Sequence, residues 1–442
     1  MQPSDKMNSA VSRRHFLKSS TMLTATAAAA VSFPNILHAQ NKQTLNAVII
    51  GVGSRGAGAG GNFLEAAKIA GADAKIVAVA DIFPEQTNRA KLNFGVPSDK
   101  CFSGFDGYMK ALEVPGVNYV ILATPPGFRA AQFKAAVAAG KHIFTEKPVA
   151  VDGAGARIMY EAAEEAKKKG LKVAAGTQRR HQAGYIETIK RIQDGAIGDV
   201  TDLRAYWVNS GPIWYRGNRG DTDLERQVNN WYHYIWLCGD HICEQHVHNI
   251  DVCNWIMGAH PVKAWGMGSR QMLDIDKKPG EIWDNFAVEF EYANGVRMHS
   301  YCGQIKRDFS SVSEAVVGSK GTANPGGNIR PKTGEGWRFR EKAIDPYVQE
   351  HVDLIKAIVN NTELNEAKQV TDSTLTAIMG REAAYNGGVV EWDDMLNCKY
   401  KYGPDLLYTD ASKMTWGPFR TLKAPLPGSH DIFKDGAQLP TV

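Results

Sequence analysis

The chain is poor in the features that mark small metal-binding and membrane-spanning proteins. Its 442 residues include six cysteines, none arranged as C-x-x-C, so neither a zinc knuckle nor a thioredoxin-type redox motif is present. Beyond the N-terminal segment, no apolar run reaches the roughly 18 residues that a membrane span needs. We expect the cysteines to be mostly buried small apolar residues, because a chain of this size does not depend on disulfides.

An excess of positive charge is also missing once the N-terminal segment is set aside. Residues 1–39 hold four basic residues and one acidic residue, so removing them lowers the formal net charge from +4 to +1. The mature chain is therefore expected to bind no nucleic acid and to contain no membrane span. The apolar content of 43% is close to the globular average and allows a sizeable core.

The N-terminal segment carries an export pattern. Arg13 and Arg14 stand within Ser-Arg-Arg-His-Phe-Leu-Lys, a weakly apolar Ala/Thr stretch follows, and Ala39 ends a plausible cleavage site. The pattern resembles a twin-arginine export signal, with a basic disordered tail as the alternative. We expect residues 1–39 to be a signal peptide read by the twin-arginine machinery, and the mature protein to reside in the periplasm or cell envelope.

The rest of the chain is organised around an apolar run that ends in glycines. Ala47–Ile50 precedes Gly51-Val52-Gly53-Ser54-Arg55-Gly56, which is typical of a buried parallel strand turning into a helix. In such a G-x-G-x-x-G pattern the first glycine permits the turn, the second lets the backbone approach a pyrophosphate, and the third allows close helix packing. The helix N-terminus then attracts the anion. An ordinary βα turn is the alternative.

The next strand ends on an acid. Lys75–Asp81 is apolar and β-branched, and Asp81 lies thirty residues after Gly51. A carboxylate at this place can accept both ribose hydroxyls of NAD. No basic residue follows closely to hold a 2′-phosphate, so NAD is favoured over NADP. A second role for Asp81, compatible with the first, is that of N-cap for a helix beginning at Pro84.

Strands and helices alternate up to residue 177, which predicts a parallel, doubly wound sheet. The expected elements include strands over Asn118–Thr124, His142–Thr145 and Leu171–Thr177, and helices over Phe128–Ala139 and Ala154–Lys169. Longer strands with few helices between them then predict a large, mostly antiparallel sheet, over Arg204–Ser210, Phe286–Tyr292, Val296–Tyr301 and Ser313–Val317. The fold class is α/β, with a Rossmann domain over 40–177, a second domain over 178–400, and a tail over 401–442 that wraps the surface.

Several motifs occur in the order of a known family. They are Gly51–Gly56, Asp81, Glu146-Lys147-Pro148, Arg179-Arg180-His181, Glu244–Asp251 and Gly380–Tyr385. Over roughly residues 45–395 the chain resembles the Gfo/Idh/MocA family of oxidoreductases. The resemblance implies an α/β second domain whose open sheet carries the substrate and forms a homo-oligomer interface. The expected cofactor contacts are Gly51, Gly53, Ser54, Arg55, Gly56, Asp81, Thr124, Glu146 and Lys147.

The expected catalytic residues are Lys147, His248 and Glu244. At a strand end, the ammonium of Lys147 can polarise or deprotonate a substrate hydroxyl, and the resemblance makes this lysine catalytic; a solvated surface lysine is the alternative. The family pattern D-x-x-x-H-x-x-D is matched by Glu244, His248 and Asp251, with Glu replacing the first Asp. On one continuous helix these three and His241 share a face, where His248 could act as general base.

A metal site competes with that interpretation. Glu244, His246 and His248 lie on one side only if the segment is extended, and would then suit a metal ion. Apolar residues after Asn249 favour a helix instead, on which His246 points elsewhere. We therefore expect no metal, with this trio as the alternative. Histidines satisfied within a packing face are a further possibility for His241 and His246.

The expected substrate residues are Arg179, Arg180, His181, Asp251 and His241. The two arginines could clamp sugar hydroxyls or a carboxylate, and salt bridging at the seam between the domains is the alternative. Aromatic residues between 206 and 236 could stack on sugar rings, although such residues more often belong to the core. They are Trp207, Trp214, Tyr215, Trp231, Tyr232 and Trp236.

The sequence therefore predicts an NAD(P)-dependent oxidoreductase acting on a CH–OH group of a sugar, glycoside or polyol. Free dinucleotide is scarce outside the cytoplasm and the twin-arginine route carries folded proteins, so we expect NAD to be exported bound and recycled within the site. One alternative is a redox-neutral glycoside hydrolase that oxidises C3 transiently, eliminates, adds water and reduces, as family-109 enzymes do. Another is a sugar-binding protein without catalysis.

Overall fold

The structure of the protein is a computed structural model that describes residues 44–209, 214–306, 309–434 and 437. The predicted export signal over residues 1–39, with Arg13 and Arg14, lies outside the described residues. Within those ranges, every helix is too short or too polar to cross a membrane.

The first domain alternates strands and helices along its whole length, which confirms the predicted Rossmann fold. Its six strands are parallel and lie in the order β3-β2-β1-β4-β5-β6. Because the order reverses between β1 and β4, a crevice opens at the carboxyl ends of these two strands. The elements are β1 Leu45–Ile50, α1 Ser54–Ala70, β2 Ala74–Asp81, α2 Pro84–Phe94, β3 Cys101–Ser103, α3 Gly107–Leu112, β4 Tyr119–Leu122, α4 Pro126–Ala138, β5 His142–Thr145, α5 Gly153–Lys168 and β6 Val173–Ala175.

The second domain is built on a nine-stranded sheet that is mostly antiparallel, as predicted. Its order is β14-β13-β12-β11-β7-β10-β9-β8-β15, and the central β7 and β10 run parallel. The elements are α6 Ala183–Gln193, β7 Val200–Val208, α7 Asp223–Asn229, α8 Ile235–Cys238, α9 His241–Glu244, α10 Val247–Met257, β8 Lys263–Ser269, α11 Met272–Ile275, β9 Asn285–Glu291, β10 Arg297–Gly303, β11 Ser311–Gly318, β12 Gly321–Asn324, β13 Asn328–Pro331, β14 Trp337–Arg338, α12 Pro346–Val359, α13 Ala367–Asn386, β15 Val390–Glu391, α14 Trp392–Asn397 and α15 Asp405–Thr409.

The two faces of this sheet differ in character because side chains alternate along each strand. On β7, Leu203 and Ala205 are buried in the core that includes α10 and α13, whereas Arg204 is exposed on the other face. The same outer face carries Tyr301 at 43% and Met267 at 72% exposure. One face therefore forms the core and the other leaves apolar side chains uncovered in this chain.

Helix α12 departs from the expected domain boundaries. It packs on α1, and its Val348, Val352 and Ile355 belong to the same buried cluster as Leu45 and Ile49 of β1. This late helix, which lies within the expected second domain over 178–400, therefore contributes to the core of the first domain. A sequence pattern places an apolar helix face against some core, but does not say which one.

The tail is more deeply integrated than the predicted surface wrap. Tyr402, Leu407, Met414 and Leu422 are buried and join the core cluster of the second domain. Apolar residues spaced between the prolines and glycines therefore anchor the tail. Five of the six cysteines are buried, and none forms a disulfide in the described part of the chain.

Candidate active site

The glycine turn after β1 has the geometry of an anion cradle. Gly51 has φ +87°, and a Cβ built on it would lie 2.6 Å from the Thr124 amide nitrogen. A Cβ on Gly56 would lie 1.8 Å from the Gly51 carbonyl oxygen, whereas one on Gly53 would meet nothing within 4 Å. Helix α1 begins at Ser54, and Gly53 has no side chain to cap it. The turn therefore leaves open backbone and an uncapped helix N-terminus, a geometry that suits a pyrophosphate.

Asp81 ends β2 and is oriented by backbone donors. Its Oδ2 accepts from the Val52 amide at 2.9 Å and its Oδ1 from the Phe83 amide at 3.0 Å. Burial raises the pKa of Asp81 to about 6, although the two amide donors oppose the shift. Each carboxylate oxygen keeps a lone pair for a ribose hydroxyl. The N-cap role is wrong, since Phe83 occupies the N-cap position of α2 and no side chain caps that helix.

Arg129 on α4 ties the ends of two parallel strands together. Its guanidinium donates to the carbonyl oxygens of Thr124 and Pro148, and burial lowers its pKa to about 10. Thr124 also donates its hydroxyl to Gln132 at 2.6 Å. Sequence reasoning missed Arg129, and the available signal was a lone arginine within an Ala-rich helix.

Glu146 and Lys147 follow β5 and enter different interactions. Glu146 Oε1 lies 2.7 Å from Arg55 Nε of the glycine turn, and that guanidinium lies 4.9 Å over the Tyr347 ring. Lys147, which precedes Pro148 across a cis peptide bond, is 9% exposed and lies 3.3 Å from Glu244 Oε1. Lys147 is therefore a buried ammonium, not the solvated surface lysine of the alternative interpretation.

The one continuous helix expected to carry His241, Glu244, His248 and Asp251 on one face is interrupted, which corrects that expectation. Helix α9 ends at Glu244 and α10 begins at Val247. Lys147 Nζ donates to the Glu244 carbonyl oxygen, and the His248 amide bonds the Gln245 carbonyl at 3.4 Å instead. The helix is interrupted where the Lys147 ammonium binds the Glu244 carbonyl oxygen. This hydrogen bond places the ammonium at the C-terminal end of α9.

Glu244 and His248 nevertheless lie close to Lys147. Burial raises the pKa of Glu244, and the charges of Lys147 and Arg129 oppose the shift. Burial, reinforced by Lys147 and Arg179, holds the pKa of His248 well below its usual range. His248 is therefore a neutral imidazole near pH 7, and it stacks on Trp207 with centroids 5.7 Å apart.

Four buried polar atoms around this cluster have no hydrogen-bond partner among the described residues. They are His248 Nδ1, Glu244 Oε2, Trp207 Nε1 and Gln304 Oε1. The Gln304 amide donates to the Tyr232 hydroxyl at 3.0 Å, and that hydroxyl lies 3.0 Å from His241 Nδ1. Buried polar groups are nearly always paired in native proteins, so this group is suited to a ligand with several hydroxyls.

The metal alternative finds no support in this geometry. His246 Nε2 lies 2.7 Å from the Ser300 hydroxyl on β10 and is therefore already hydrogen-bonded within the protein. No group of three or more metal-ligating side chains is found in the described ranges. His241 and His246 both fit the packing-face interpretation.

Three of the residues expected to bind substrate contact carboxylates of the protein instead. They are Arg179, Arg180 and His181. Arg179 lies 3.1 Å from Glu314, and Arg180 lies 2.8 Å from Asp251. His181 lies 2.7 Å from Asp353 and 3.3 Å from Glu366. Burial alone would lower the pKa of His181, but these carboxylates raise it to about 10. The salt-bridge alternative therefore describes the Arg179–His181 segment.

The aromatic residues between 206 and 236 divide into two roles. Trp236 is buried against Phe419, and Trp214 and Trp231 meet edge to face, so these rings pack the fold. Trp207 is the ring that stacks on His248.

Asp240 is a further residue that the sequence analysis missed. It caps α9 with φ +73° and accepts a hydrogen bond from the Trp283 amide at 2.8 Å.

Comparison with known proteins agrees with this arrangement. A model described as "Oxidoreductase family, NAD-binding Rossmann fold" matches residues 45–175, and a "GFO/IDH/MocA C-terminal domain" model matches residues 185–324. Inositol 2-dehydrogenase of Gluconacetobacter diazotrophicus is 27% identical over 317 residues, which are 69% of this chain and 85% of that enzyme.

Two solved structures share the fold. Levoglucosan dehydrogenase, in complex with NADH and levoglucosan, has a TM-score of 0.65 at 19% identity and covers 79% of this chain and 99% of its own. Aldose-aldose oxidoreductase from Caulobacter crescentus, complexed with glycerol, has a TM-score of 0.62 at 21% identity over the same shares. The predicted cofactor, NAD, is confirmed by the NAD-binding family of the first domain.

Proposed function

The chain belongs to the Gfo/Idh/MocA family of oxidoreductases, and we propose that it acts on a CH–OH group of a cyclic polyol, sugar or glycoside. The observation that carries this proposal is the set of unpartnered buried polar atoms around Lys147, at His248, Glu244, Trp207 and Gln304. Leaving such atoms unpaired costs about 1–3 kcal/mol each, a cost that a polyhydroxylated ligand removes.

NAD, when bound, supplies the hydride acceptor and donor. The glycine turn and Asp81 are suited to hold its pyrophosphate and ribose, and Arg55 braces the turn against Glu146. On the protein side, neutral His248 takes up the hydroxyl proton at its free Nδ1. The Lys147 ammonium donates to the substrate oxygen as negative charge develops there, and Glu244 holds Lys147 in position.

The substrate class is proposed from chemistry and from relatives together. Relatives include enzymes named inositol 2-dehydrogenase, and a structural neighbour holds levoglucosan. Both are ring compounds with several hydroxyls, which agrees with four separated polar atoms that include the indole donor of Trp207 and the amide acceptor of Gln304.

A finer proposal is that NAD stays bound and is recycled within the site. It rests on the twin-arginine pattern at Arg13 and Arg14, since exported enzymes meet little free dinucleotide. Replacing both arginines by lysine should hold the precursor in the cytoplasm, and normal delivery of this variant to the periplasm would refute the proposed location.

We also propose that the outer face of the second sheet joins copies of this chain. That face carries exposed Met267 and Tyr301, and exposed apolar side chains on one sheet face mark an interaction surface. Light scattering of purified protein should report an oligomer, and Met267→Lys with Tyr301→Lys should shift it toward monomer.

The proposed function is tested by extraction followed by a substrate screen. Protein purified without added dinucleotide is denatured, and the supernatant is assayed for NAD(H) and NADP(H). We expect about one NAD(H) per chain. Intact protein is then mixed with inositols, monosaccharides and aryl glycosides. A change in nicotinamide absorbance with a polyol or sugar supports the oxidoreductase, whereas glycoside cleavage without a second sugar identifies the redox-neutral hydrolase instead. An extract without NAD refutes the retained cofactor.

A further inference from the structure

The tail beyond α14 runs across both domains, and we call residues 402–432 the C-terminal strap. On the first domain, the Tyr402 amide donates to Asp152 Oδ2 at 3.1 Å, and the Tyr408 hydroxyl donates to the same carboxylate. Trp416 then stacks on Phe83 with centroids 5.6 Å apart and meets Phe105 at 4.7 Å. These contacts fix the strap to the N-terminus of α5 and to the loops that follow β2 and β3.

Residues just after Trp416 in the strap contact the second domain. The Gly417 carbonyl accepts from the Leu224 amide at 3.3 Å, and the Arg420 carbonyl accepts from Gln227 at 2.7 Å. Phe419 packs on Trp236 with centroids 5.0 Å apart. Residues 416–420 therefore bridge the two domains across the edge of the crevice.

This bridge lies beside the ribose-binding carboxylate. Phe83, the residue on which Trp416 stacks, donates its amide to Asp81 Oδ1 at 3.0 Å. In a Rossmann fold the acid at the end of the second strand holds the ribose of the adenosine half. Phe105, the other partner of Trp416, lies 6.3 Å from Phe128 at the start of α4. An aromatic row thus runs from the β2 loop, beside the carboxylate expected to hold the adenosine ribose, to the start of α4 after β4.

The solved relatives do not account for the whole chain. Both are covered over 99% of their own length yet match 79% of this chain, and the family models end at residue 324. A segment that joins two domains beside a cofactor site resists their separation, and domain separation is a common way for a cofactor to leave.

We propose that the C-terminal strap is a cofactor-retention clasp, in which Trp416 fixes the Phe83 loop against Phe105 and closes the adenosine end of the NAD site. The clasp rests on the proposed function only in that NAD is the bound group. It slows NAD release and leaves the hydroxyl chemistry at Lys147 and His248 untouched, so Trp416 is a positioning residue.

The test measures how fast NADH leaves the protein. Full-length protein loaded with NADH is diluted into excess NAD⁺, and the loss of nicotinamide fluorescence is followed over time. Removing two aromatic contacts in Trp416→Ala should speed release by on the order of tenfold. Trp416→Phe should restore most of the retention. Phe433→Ala, a change at a 37% exposed tail residue beyond the strap, is the matched control and should release NADH like the unaltered protein.

A second measurement uses the unaltered protein, so that the outcome does not depend on the folding of a variant. Backbone amides of residues 411–420 should exchange with deuterated solvent more slowly when NADH is bound than after it has been removed. Equal exchange in the two states, or equal release rates for folded Trp416→Ala and the control, would overturn the clasp. Protein that binds no NADH at all would instead refute the proposed function.

Discussion

Two clusters of buried charged residues lie at the crevice, and they differ in how completely their polar atoms are paired. Around Lys147, the polar atoms Glu244 Oε2 and His248 Nδ1 have no hydrogen-bond partner in the described structure. At the seam of Arg179, Arg180 and His181, each side chain meets a carboxylate within 3.3 Å, although Arg179 Nη1 makes its 3.1 Å ion-pair contact with Glu314 without a hydrogen bond. From the sequence alone, both clusters were candidates for the active site, because each places basic side chains just after a strand.

The difference indicates which cluster reacts and which one holds the domains together. A buried charge that is paired inside the protein has little left to offer a ligand, and breaking the pair destabilises the fold. A buried polar atom without a partner costs free energy until a ligand supplies one. We therefore assign chemistry to Lys147 and His248, and assembly to the Arg179–His181 seam.

The largest expected effect is on the chemical step. Lys147→Ala and His248→Ala should each lower kcat by about 10²–10⁴-fold, because each removes a group that handles the substrate proton. Bound NAD should persist in both variants, as measured in denatured extracts. His246→Ala is the matched control, since His246 is hydrogen-bonded to the Ser300 hydroxyl. A kcat loss in His246→Ala as large as that in His248→Ala, or inhibition by a chelator, would reinstate the metal alternative.

The next largest effect is on stability, and it tests whether the Arg179–His181 seam holds the domains together. Arg180→Ala removes the ion-pair partner of the buried Asp251 carboxylate, to which the Ser373 hydroxyl still donates, and should lower the free energy of unfolding by about 3–5 kcal/mol in denaturant titrations. Arg204→Ala, which breaks an exposed pair with Asp202, should cost about 1 kcal/mol or less. A folded Arg180→Ala enzyme should keep its kcat. A kcat loss comparable to that of Lys147→Ala would mean that the seam binds substrate.

A smaller effect concerns the cofactor. Asp81→Ala should weaken NAD retention by about 1–3 kcal/mol, because charge-assisted hydrogen bonds to the ribose are lost. Since the Asp81 pKa is raised to about 6 by burial, retention in the unaltered protein should fall as the pH drops below 6. Asp106→Ala, at a half-exposed carboxylate of the same domain, serves as control. Equal retention by the Asp81 and Asp106 variants would contradict this role.

The smallest effect is a pH dependence at the seam. The folded pKa of His181 is about 10, above its unfolded value near 6.5, so its stabilising contribution is complete below pH 6.5 and is lost as the pH rises through 10. Between pH 7 and 10, Tm should fall less steeply in His181→Gln than in the unaltered protein. Asp353→Asn should give part of that change. Parallel Tm curves for His181→Gln and the unaltered protein would show that His181 carries no charge there.

The sequence predicted those parts of the molecule that local patterns specify. The bounds of strand His142–Thr145 were predicted to the residue. The tight turn from Gly51 to Gly56 was also predicted, because glycine geometry is a local constraint. The sequence also placed Lys147 just after a strand, and in the structure it follows β5.

Features that depend on distant partners could not be predicted in the same way. The break between Glu244 and Val247 involves a lysine about a hundred residues earlier in the chain, and α12 joins the first domain through its packing on α1. Salt bridging of Arg180 at the seam was weighed as an alternative, but only the fold shows that its partner is Asp251. Tertiary contacts override local pattern at these places.

The central claim is that the unpartnered cluster, and not the paired seam, carries out the redox chemistry. The most direct test is a single-turnover reaction with protein as purified, followed by nicotinamide absorbance after mixing with the best polyol or sugar from the screen. We predict a rapid absorbance change in the unaltered protein and in folded Arg180→Ala, and a change slowed at least about a hundredfold in Lys147→Ala and His248→Ala. An unaltered rate in the latter two variants, with loss of the change in Arg180→Ala, would contradict the account.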